Sequence, residues 1–330
     1  MNKIYVGIIG LGVGERHLET FIANKRCNVK YVCDFDKKKL KEIKKKYPNI
    51  ECVDNDKKIF LDKEINLISI ASYDNFHCKQ ILKAIKLKKN IFIEKPLCLT
   101  ITEFKKIKNQ LNKSKIKISS NYVLRGTSKF KNIKLKSSKL GKIFYLEGDY
   151  NYGRISKIIH GWRGKIPFYS VTLGGGLHLI DIMLMINNSD VEKVIAVGNN
   201  ISTKRSRFNY YDSVTSLIKF KNGSTAKINS NFGGVTPHHH SFQVFGTKGT
   251  ILSNLFGTYL IKSRSKKNKP HKQIFRSKFY EKREVLESFI NKILKNKNCL
   301  VERQDIFKSV SVALAIEKSL KTKIWEKVNF

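Results

Sequence analysis

A glycine-rich turn near the start of the chain, GIIGLGVGERH at residues 7–17, has the residue types of a phosphate-binding site. It follows a β-branched run and precedes helical spacing, which is the order that a dinucleotide cradle requires. Gly10 permits the tight turn, and Gly12 lets the backbone approach a pyrophosphate at the helix N-terminus. Glu15 stands where the usual pattern has its third glycine, which allows close packing of the helix against the strand. Gly14, one position earlier, relieves the crowding between these two elements. We predict a nucleotide cradle rather than a plain structural turn.

An acidic residue stands where a bound ribose would need it. Asp34 ends the second apolar run and follows Gly10 by 24 positions, close to the usual spacing of about 20. Its carboxylate would accept hydrogen bonds from the ribose 2′-hydroxyl and would repel a 2′-phosphate. Phe35 follows it, where an NADP-preferring site often has arginine, although three lysines lie nearby at residues 37–39. The sequence therefore favours NAD over NADP as the cofactor.

A lysine is the third candidate for chemistry. Lys95 follows the apolar run at residues 90–93 and precedes Pro96. If that run is a parallel strand, Lys95 lies at its carboxyl end, where ligands of open α/β sheets bind. A lysine there can donate a hydrogen bond to a reacting oxygen or relay its proton. The alternative is one more solvated lysine in a lysine-rich chain, and position alone does not decide between the two.

These residues need a common sheet edge to bring them together. Apolar runs at residues 3–9, 28–34, 65–71, 90–94 and 116–121 alternate with helical patterns. Such alternation predicts an α/β fold whose first domain, residues 1–120, is a Rossmann doubly wound parallel sheet that binds NAD(P). Later runs at residues 144–152, 191–199, 213–220, 224–231 and 241–245 are closely spaced and precede two closing helices. They predict a second α/β domain, residues 121–330, with a large mixed or antiparallel sheet.

The positive charge of the chain is large but evenly distributed. Lysine and arginine number 65 against 26 acidic residues, a formal net charge of +39 over 330 residues. Because lysines recur throughout, they predict solvated faces rather than a nucleic-acid stripe. The six cysteines form no C-x-x-C pair, which is typical of reduced thiols. No apolar run is long enough for a signal peptide or a membrane span. We expect a cytoplasmic protein with no nucleic-acid or membrane partner.

Further motifs occur along nearly the whole chain and are specific in combination, whereas each alone is common. They are Ala71-Ser72-Tyr73-Asp74-Asn75-Phe76-His77, Glu94-Lys95-Pro96, Leu140-Gly141-Lys142-Ile143, Trp162-Arg163, Gly174-Gly175-Gly176, His178 with Asp181, Lys221-Asn222-Gly223 and Phe245-Gly246-Thr247-Lys248-Gly249-Thr250. With the glycine turn, they make the sequence resemble the glucose-fructose oxidoreductase and inositol dehydrogenase (Gfo/Idh/MocA) family. The resemblance implies an NAD(P)-dependent oxidoreductase with a Rossmann domain and a C-terminal domain whose open sheet mediates oligomerisation.

The resemblance also implies a role for each matching residue. Lys95 would lie near nicotinamide C4, and His178 would be the acid/base that faces the substrate hydroxyl or ketone. The implied cofactor-binding residues are Gly10, Gly12, Val13, Asp34, Ser72, Asn75, His77, Glu94 and Lys95. The implied substrate-binding residues are Tyr122, Arg125, Trp162, Arg163, His178 and Asp181. The expected substrate is a sugar, inositol or nucleotide sugar, phosphorylated or not, and the expected assembly is a homodimer or homotetramer.

Two positions depart from the family pattern. Many members have an acid four residues before the acid/base histidine, where this chain has Gly174, and the proline common after the third strand is Tyr73. A second hypothesis follows, in which the chain is a non-catalytic NAD-binding regulator or scaffold. His178 itself has a simpler interpretation as a partly buried helix residue, whose spacing to Asp181 places both on one helix face.

Three adjacent histidines, at residues 238–240, invite a metal interpretation. Adjacent residues of a strand point to alternating sides, so three such side chains do not easily share one ion. No cysteine or acid cluster accompanies them, and we predict no metal site. His160 is assigned neither a metal-binding nor a catalytic role. Its neighbours Trp162 and Arg163 suggest that it lies in a loop that faces the substrate.

Overall fold

The computed structural model describes residues 3–275 and 281–329, which divide between two compact units. The first unit contains the chain up to Gly126 together with residues 282–306, and the second contains residues 127–281 and everything after 306. The sequence-based division at residue 120 lies close to the first of these boundaries. It does not include the later segment that belongs to the first unit.

The first unit alternates strands and helices. Its elements are β1 (Ile4–Ile9), α1 (Gly14–Ala23), β2 (Cys27–Cys33), α2 (Lys37–Lys46), β3 (Glu51–Val53), α3 (Lys57–Leu61), β4 (Leu67–Ile70), α4 (His77–Lys86), β5 (Asn90–Ile93), α5 (Ile101–Asn112) and β6 (Ile118–Ser120). All neighbouring strands are parallel, in the order β3-β2-β1-β4-β5-β6. The predicted Rossmann sheet is confirmed, and the strand order reverses between β1 and β4, where such sheets bind ligands.

Burial on both faces explains why these strands are nearly all apolar. Every residue of β4 is buried, and so are most residues of β1, as expected for a parallel sheet that is covered by helices. Leu18 and Phe21 of α1 are fully buried. The start of α5 is fixed by a capping box, in which Thr100 and Glu103 each bond the backbone of the other.

The second unit is built on a large mixed sheet. Its first elements are α6 (Ser128–Ser137), β7 (Ile143–Asn151), α7 (Ile155–Ile159), α8 (Leu177–Asn187), β8 (Val191–Asn199), β9 (Ser213–Phe220), β10 (Thr225–Asn231), β11 (His239–Gly246), β12 (Gly249–Asn254), β13 (Gly257–Ile261) and β14 (His271–Gln273). With β15 (Glu326–Lys327), nine strands lie in the order β14-β13-β12-β11-β7-β10-β9-β8-β15. β7 and β10 are parallel and the other neighbours are antiparallel, which confirms the predicted mixed sheet.

One face of this sheet packs against α8. Leu146, Ile228 and Phe242 are fully buried on that face. Gly148 allows the close approach, because a Cβ at this position would lie 3.1 Å from the Met183 methyl carbon and 3.3 Å from Leu179 Cδ1. In residues 3–275 and 281–329, no helix is both long enough and apolar enough to cross a membrane.

The segment after the mixed sheet returns to the first unit. It carries α9 (Glu284–Lys295) and the start of α10 (Arg303–Thr322). The Phe289 ring lies 5.9 Å from the Phe92 ring of β5, and Ser119 Oγ donates to the Val301 carbonyl at 2.9 Å. Arg303 donates to two backbone carbonyls before β6, at 2.9 and 2.6 Å. These contacts explain why the first unit is discontinuous in sequence.

Candidate active site

The glycine turn leaves open space in front of α1. Gly10 has φ +87°, and a Cβ there would overlap the Ala71 carbonyl and lie 2.7 Å from the Ser72 nitrogen. Apart from Gly12 and its two chain neighbours, no heavy atom of the described residues lies within 4 Å of a Cβ built at this position. Gly14 begins α1 and would place a Cβ 3.1 Å from Ala71 Cβ. The backbone at Gly12 is therefore approachable by a pyrophosphate, and Gly14 provides the tight packing that the third glycine usually provides.

Asp34 is held beside this turn by backbone hydrogen bonds. Its Oδ2 accepts from the Leu11 nitrogen at 2.7 Å, and its Oδ1 accepts from the Asp36 nitrogen at 2.9 Å. A carboxylate oxygen has more than one acceptor position, so these bonds fix the group without using its full capacity. Next to it, Phe35 is 66% exposed and its ring meets the Tyr73 ring edge-on at 5.4 Å.

Three of the predicted cofactor residues lie between the end of β4 and the first residue of α4, and they differ in exposure. Asn75 is exposed and Ser72 is half-buried, with its Oγ donating to Gln80 at 2.6 Å. His77 is fully buried, with Nδ1 2.6 Å from the Pro96 carbonyl oxygen and Nε2 3.1 Å from that of Ser72. His77 therefore connects the loop after β4, at Ser72, to the loop after β5, at Pro96, and it does not line an open cleft.

A buried polar network supports the residue that precedes Lys95. His17 on α1 contacts Ser69 Oγ through Nδ1 at 2.9 Å and Glu94 Oε1 through Nε2 at 3.1 Å. Asn121 donates to the same Glu94 oxygen at 2.5 Å. Burial raises the pKa of Glu94, but the hydrogen bond and charge of His17, the Asn121 amide and the Lys95 charge outweigh it and leave that pKa below its ordinary value. Glu94 is thus held as a carboxylate.

The other predicted residues of the first unit lie in two different environments. Lys95 is half-buried after the carboxyl end of β5, and its bond to Pro96 is cis. Val13 is 46% exposed at the start of α1. Tyr122 is fully buried. Arg125 is also buried, and its Nη1 bonds Asp305 at 2.8 Å and the Leu300 carbonyl at 2.9 Å. This ion pair accounts for Arg125 without a substrate.

The second unit brings the predicted histidine onto a stack of aromatic rings. His178 is on α8, 6% exposed, and its ring lies parallel to that of Tyr150 at 6.2 Å. Tyr150 stacks on Phe232 at 5.6 Å, and Tyr152 stacks on Phe232 at 4.4 Å. We call Tyr150, Tyr152 and Phe232 the aromatic face. Asp181 is one helical turn beyond His178 and is buried.

Arginine side chains lie beside the aromatic face. The Arg163 guanidinium carbon is 4.7 Å from the Trp162 ring centre and 5.8 Å from that of Tyr152. Arg154 lies 5.8 Å from the same Tyr152 ring. Burial raises the pKa of Tyr150 to about 12, with a further rise from Tyr152, and the two arginine charges oppose this shift. Both positive charges therefore act on the ring against which His178 stacks.

The three adjacent histidines alternate as predicted. His238 and His240 lie on the same side, with ring centres 5.5 and 4.9 Å from that of Tyr150. His239 lies on the other side, with Nε2 3.2 Å from Asn151 Nδ2. Among the side chains that the structure describes, no group of three or more His, Cys, Asp or Glu residues is arranged to hold a metal ion.

Two family models match the chain, and together they span more than half of it. One is described as "Oxidoreductase family, NAD-binding Rossmann fold" and matches residues 4–122. The other is described as "GFO/IDH/MocA C-terminal domain" and matches residues 134–252. The chain belongs to the Gfo/Idh/MocA oxidoreductase family. The resemblance inferred from its motifs is therefore confirmed.

Individual members of the Gfo/Idh/MocA family are similar over their full length but distant in sequence. Myo-inositol 2-dehydrogenase of Thermotoga maritima is 22% identical over 96% of both chains. The structure of scyllo-inositol dehydrogenase from Lactobacillus casei with bound NAD(H) and scyllo-inositol has a TM-score of 0.79 at 18% identity, covering 99% of each chain. The WlbA dehydrogenase of Bordetella pertussis, in complex with NADH and UDP-GlcNAcA, has a TM-score of 0.82 at 15% identity over 99% of each chain.

Several residues of these arrangements were not singled out from the sequence. His17 and Asn121 complete the Glu94 network, and Tyr150 and Tyr152 form the aromatic face with Phe232. A histidine on the apolar side of the first helix is the signal that could have indicated the network. The tyrosines gave no local signal, because alternation along a strand predicts burial without predicting a neighbour.

Proposed function

We propose that this chain is an NAD-dependent dehydrogenase that moves a hydride between nicotinamide and the hydroxyl- or keto-bearing carbon of a sugar, inositol or nucleotide sugar. The observation that carries the proposal is the open backbone at Gly12, with the fixed Asp34 carboxylate beside it. Both lie at the carboxyl edge of the parallel sheet, next to the β1–β4 reversal. This is where the phosphates and the ribose of a dinucleotide bind in such sheets.

The preference for NAD over NADP follows from charge and from the neighbouring rings. The Asp34 carboxylate is suited to a ribose 2′-hydroxyl and repels a 2′-phosphate. The position after it is Phe35, which together with Tyr73 forms an apolar pair suited to the adenine ring rather than a cationic phosphate site. Gly10, Gly12 and Val13 would hold the pyrophosphate at the start of α1, and Ser72 and Asn75 would lie along the cofactor.

Lys95 and His178 are the proposed catalytic residues. Nicotinamide supplies the hydride chemistry when it is bound. Lys95, which follows β5, would donate a hydrogen bond to the reacting oxygen and stabilise its negative charge. Glu94, held as a carboxylate by His17 and Asn121, would orient this segment and help to hold the nicotinamide ribose. Imidazole is the side chain that most often transfers protons in enzymes, and His178 would take the hydroxyl proton or return it to a ketone.

The proposal extends to the substrate side and to assembly. Trp162, Arg163 and Asp181 are the remaining proposed substrate residues. The outward face of the mixed sheet carries Leu217 and Val197, which are 49% and 66% exposed, and we propose that a second copy covers it in a homodimer or homotetramer. The six cysteines are free thiols, all within the described residues, and fit the proposed cytoplasmic location.

Cofactor binding followed by a substrate panel tests the function. NAD at 100 times its dissociation constant should stabilise the protein by about 2.7 kcal/mol, which a thermal-shift titration detects, and NADP should stabilise it less. Sugars, inositols and nucleotide sugars are then screened by the absorbance of reduced nicotinamide. Protein that binds neither NAD nor NADH is incompatible with the proposal.

Gly174 supports one alternative, a regulator or scaffold that binds NAD without turnover. Many members of the family have an acid at this position, and a glycine provides no carboxylate at residue 174. The alternative predicts a clear thermal shift with NAD and no absorbance change with any member of the panel. The dehydrogenase proposal predicts both the shift and the absorbance change.

A further inference from the structure

The space above Gly174 is filled by a tyrosine hydroxyl. A Cβ built at Gly174 would overlap the Tyr169 hydroxyl oxygen and lie 2.6 Å from the ring carbon that carries it. Tyr169 is 2% exposed. Gly174 lies in a π-helical segment, Thr172–Gly176, that leads directly into α8. It precedes His178 by about one turn, so the two residues lie on the same side of this continuous helix. The Tyr169 phenol is therefore on the His178 side of this helix, where any side chain at residue 174 would displace it.

The position of Tyr169 is fixed from several directions. Its ring meets those of Trp162 at 6.0 Å, Phe208 at 5.9 Å and Phe232 at 6.2 Å. The next residue, Ser170, accepts from the Leu173 nitrogen at 3.0 Å through its hydroxyl. The same hydroxyl donates to a carboxylate of α10 at 2.6 Å. A phenol held in this way is a rigid attachment point for another side chain.

That side chain is Arg163. Its Nε donates to the Tyr169 hydroxyl at 3.1 Å. The guanidinium lies against the rings of Trp162, Tyr152 and Tyr169, at 4.7, 5.8 and 5.8 Å. A guanidinium that is stacked and bonded through Nε has a fixed plane, and the opposite edge, Nη1 and Nη2, has the geometry that binds carboxylate or phosphate through two bonds.

We propose that Tyr169 is a positioning residue that holds Arg163 for an anionic group of the substrate, a carboxylate or a phosphate, and that Gly174 provides the room for this phenol. The proposal rests on the proposed dehydrogenase function and assigns its substrate class. Arg154, exposed and beside the same Tyr152 ring, adds a second positive charge. A glycine in place of an acid at residue 174 then removes one negative charge from the site, and the more positive site favours anionic substrates.

Matched substrate pairs test the inference on the full chain loaded with NAD. Each pair is a neutral polyol or sugar and its carboxylated or phosphorylated counterpart, for example glucose with glucuronate, glucose with glucose 6-phosphate, and inositol with its phosphate. UDP-glucose with UDP-glucuronate is added as a pair whose members share the diphosphate and differ by one sugar carboxylate. Turnover gives kcat and KM, and thermal shift gives binding. We expect the anionic member of the best pair to have a kcat/KM at least 10-fold higher, and the two arms distinguish carboxylate from phosphate.

Variants separate positioning from packing. Tyr169→Phe keeps the ring contacts and loses the hydroxyl, so we expect an unchanged Tm and a 10- to 100-fold rise in KM for the anionic member alone. Arg163→Lys should lose the same preference because a lysine does not bind through a planar fork. Gly174→Ala should reproduce the Tyr169→Phe defect by displacing the phenol. Tyr210→Phe is the matched control, since Tyr210 bonds the Ile166 carbonyl in the same aromatic region.

Each outcome decides the inference. Turnover of neutral substrates with equal or better kcat/KM, or a preference that Tyr169→Phe leaves intact, overturns the inference while the dehydrogenase function stands. Anionic ligands that raise the Tm in an Arg163-dependent manner without turnover support the inference and contradict the function. Protein that binds NAD but responds to no member of any pair overturns both.

Discussion

We call the carboxyl edge of the parallel sheet, with Gly10, Gly12, Asp34 and Glu94, the nucleotide edge. This edge of the first unit and the aromatic face of the second unit are built by different means. At the nucleotide edge, backbone geometry at Gly10 and Gly12 and hydrogen bonds to Asp34 and Glu94 determine each position. At the aromatic face, Phe232, which follows β10, stacks on Tyr150 and Tyr152 at 5.6 and 4.4 Å, and Tyr150 of β7 stacks on His178 at 6.2 Å. The nucleotide edge is held by directional hydrogen bonds, and the aromatic face is held by buried apolar area and by the packing of its rings.

This difference has energetic consequences. A buried polar network loses a large part of its stabilisation when one partner is removed, because the remaining groups are left without bonds in a low dielectric. Stacked rings are less directional, and their contribution is mainly buried area with a smaller geometric term. Substitutions of a single polar atom should therefore be costly in the first unit and mild at the aromatic face.

The largest expected effect is on chemistry at the nucleotide edge. Lys95→Ala should lower kcat by roughly 100- to 10,000-fold, because it removes the proposed donor to the reacting oxygen, while NAD binding stays measurable by thermal shift. Lys79→Ala, an exposed lysine of α4, controls for the loss of a positive charge and should keep full turnover. Unchanged turnover in Lys95→Ala would refute the assigned role.

Two glycine variants should separate folding from cofactor binding. Gly10→Ala forces a left-handed φ and an overlap with the Ala71 carbonyl, so we expect a loss of stability of roughly 1–3 kcal/mol in urea unfolding. Beyond its chain neighbours, the methyl group of Gly12→Ala has no atom of the described residues within 4 Å, so this variant should fold as well as the wild type. Its NAD affinity should fall at least 10-fold, because the methyl group enters the space proposed for the pyrophosphate.

The reverse pattern would contradict this assignment of the two glycines. If Gly12→Ala unfolds more readily than Gly10→Ala, the turn is a structural device and not a cradle. If Gly12→Ala binds NAD as tightly as the wild type, the pyrophosphate does not approach the backbone at this residue.

The Glu94 network should make stability depend on pH. A carboxyl whose pKa is lower in the folded state stabilises the fold above its ordinary pKa, and this contribution is lost as pH falls through the folded value. Glu94→Gln should therefore cost about 1–3 kcal/mol of unfolding free energy at pH 7 and progressively less as pH approaches that value. Glu42→Gln, an exposed carboxylate on α2, is the control. A cost that is equal at pH 7 and pH 4 would exclude this mechanism.

The same comparison explains how much the sequence predicted. The glycine turn, Asp34 and Lys95 lie at strand ends that apolar alternation identifies, so their common edge follows from the fold class. β3, at Glu51–Val53, was missed because three residues with one acid give no strand pattern. The Glu94 network joins residues that are far apart in sequence, His17 and Asn121, and no spacing rule connects them.

The limit of prediction from sequence is clearer in the second unit. Strands β12 to β15 were not predicted, since they are short and rich in polar residues and glycine. The sequence marked Gly174 as a departure from a pattern, but the reason lies in Tyr169, whose hydroxyl occupies the adjacent space. Arg125 was predicted at the substrate, and its ion pair with Asp305 comes from a segment that returns late in the chain. Such pairings depend on tertiary packing alone.

The smallest expected effect is at the aromatic face. Tyr150→Phe keeps the ring that stacks on His178 and Phe232 and removes a hydroxyl whose pKa is raised to about 12 by burial. Because that hydroxyl stays protonated at neutral pH, its removal should change the unfolding free energy by less than about 1 kcal/mol. Tyr150→Leu, which loses the stack, should cost more than Tyr150→Phe. If Tyr150→Phe is as costly as Glu94→Gln, polar bonds and not ring packing hold this face, and the contrast between the two regions fails.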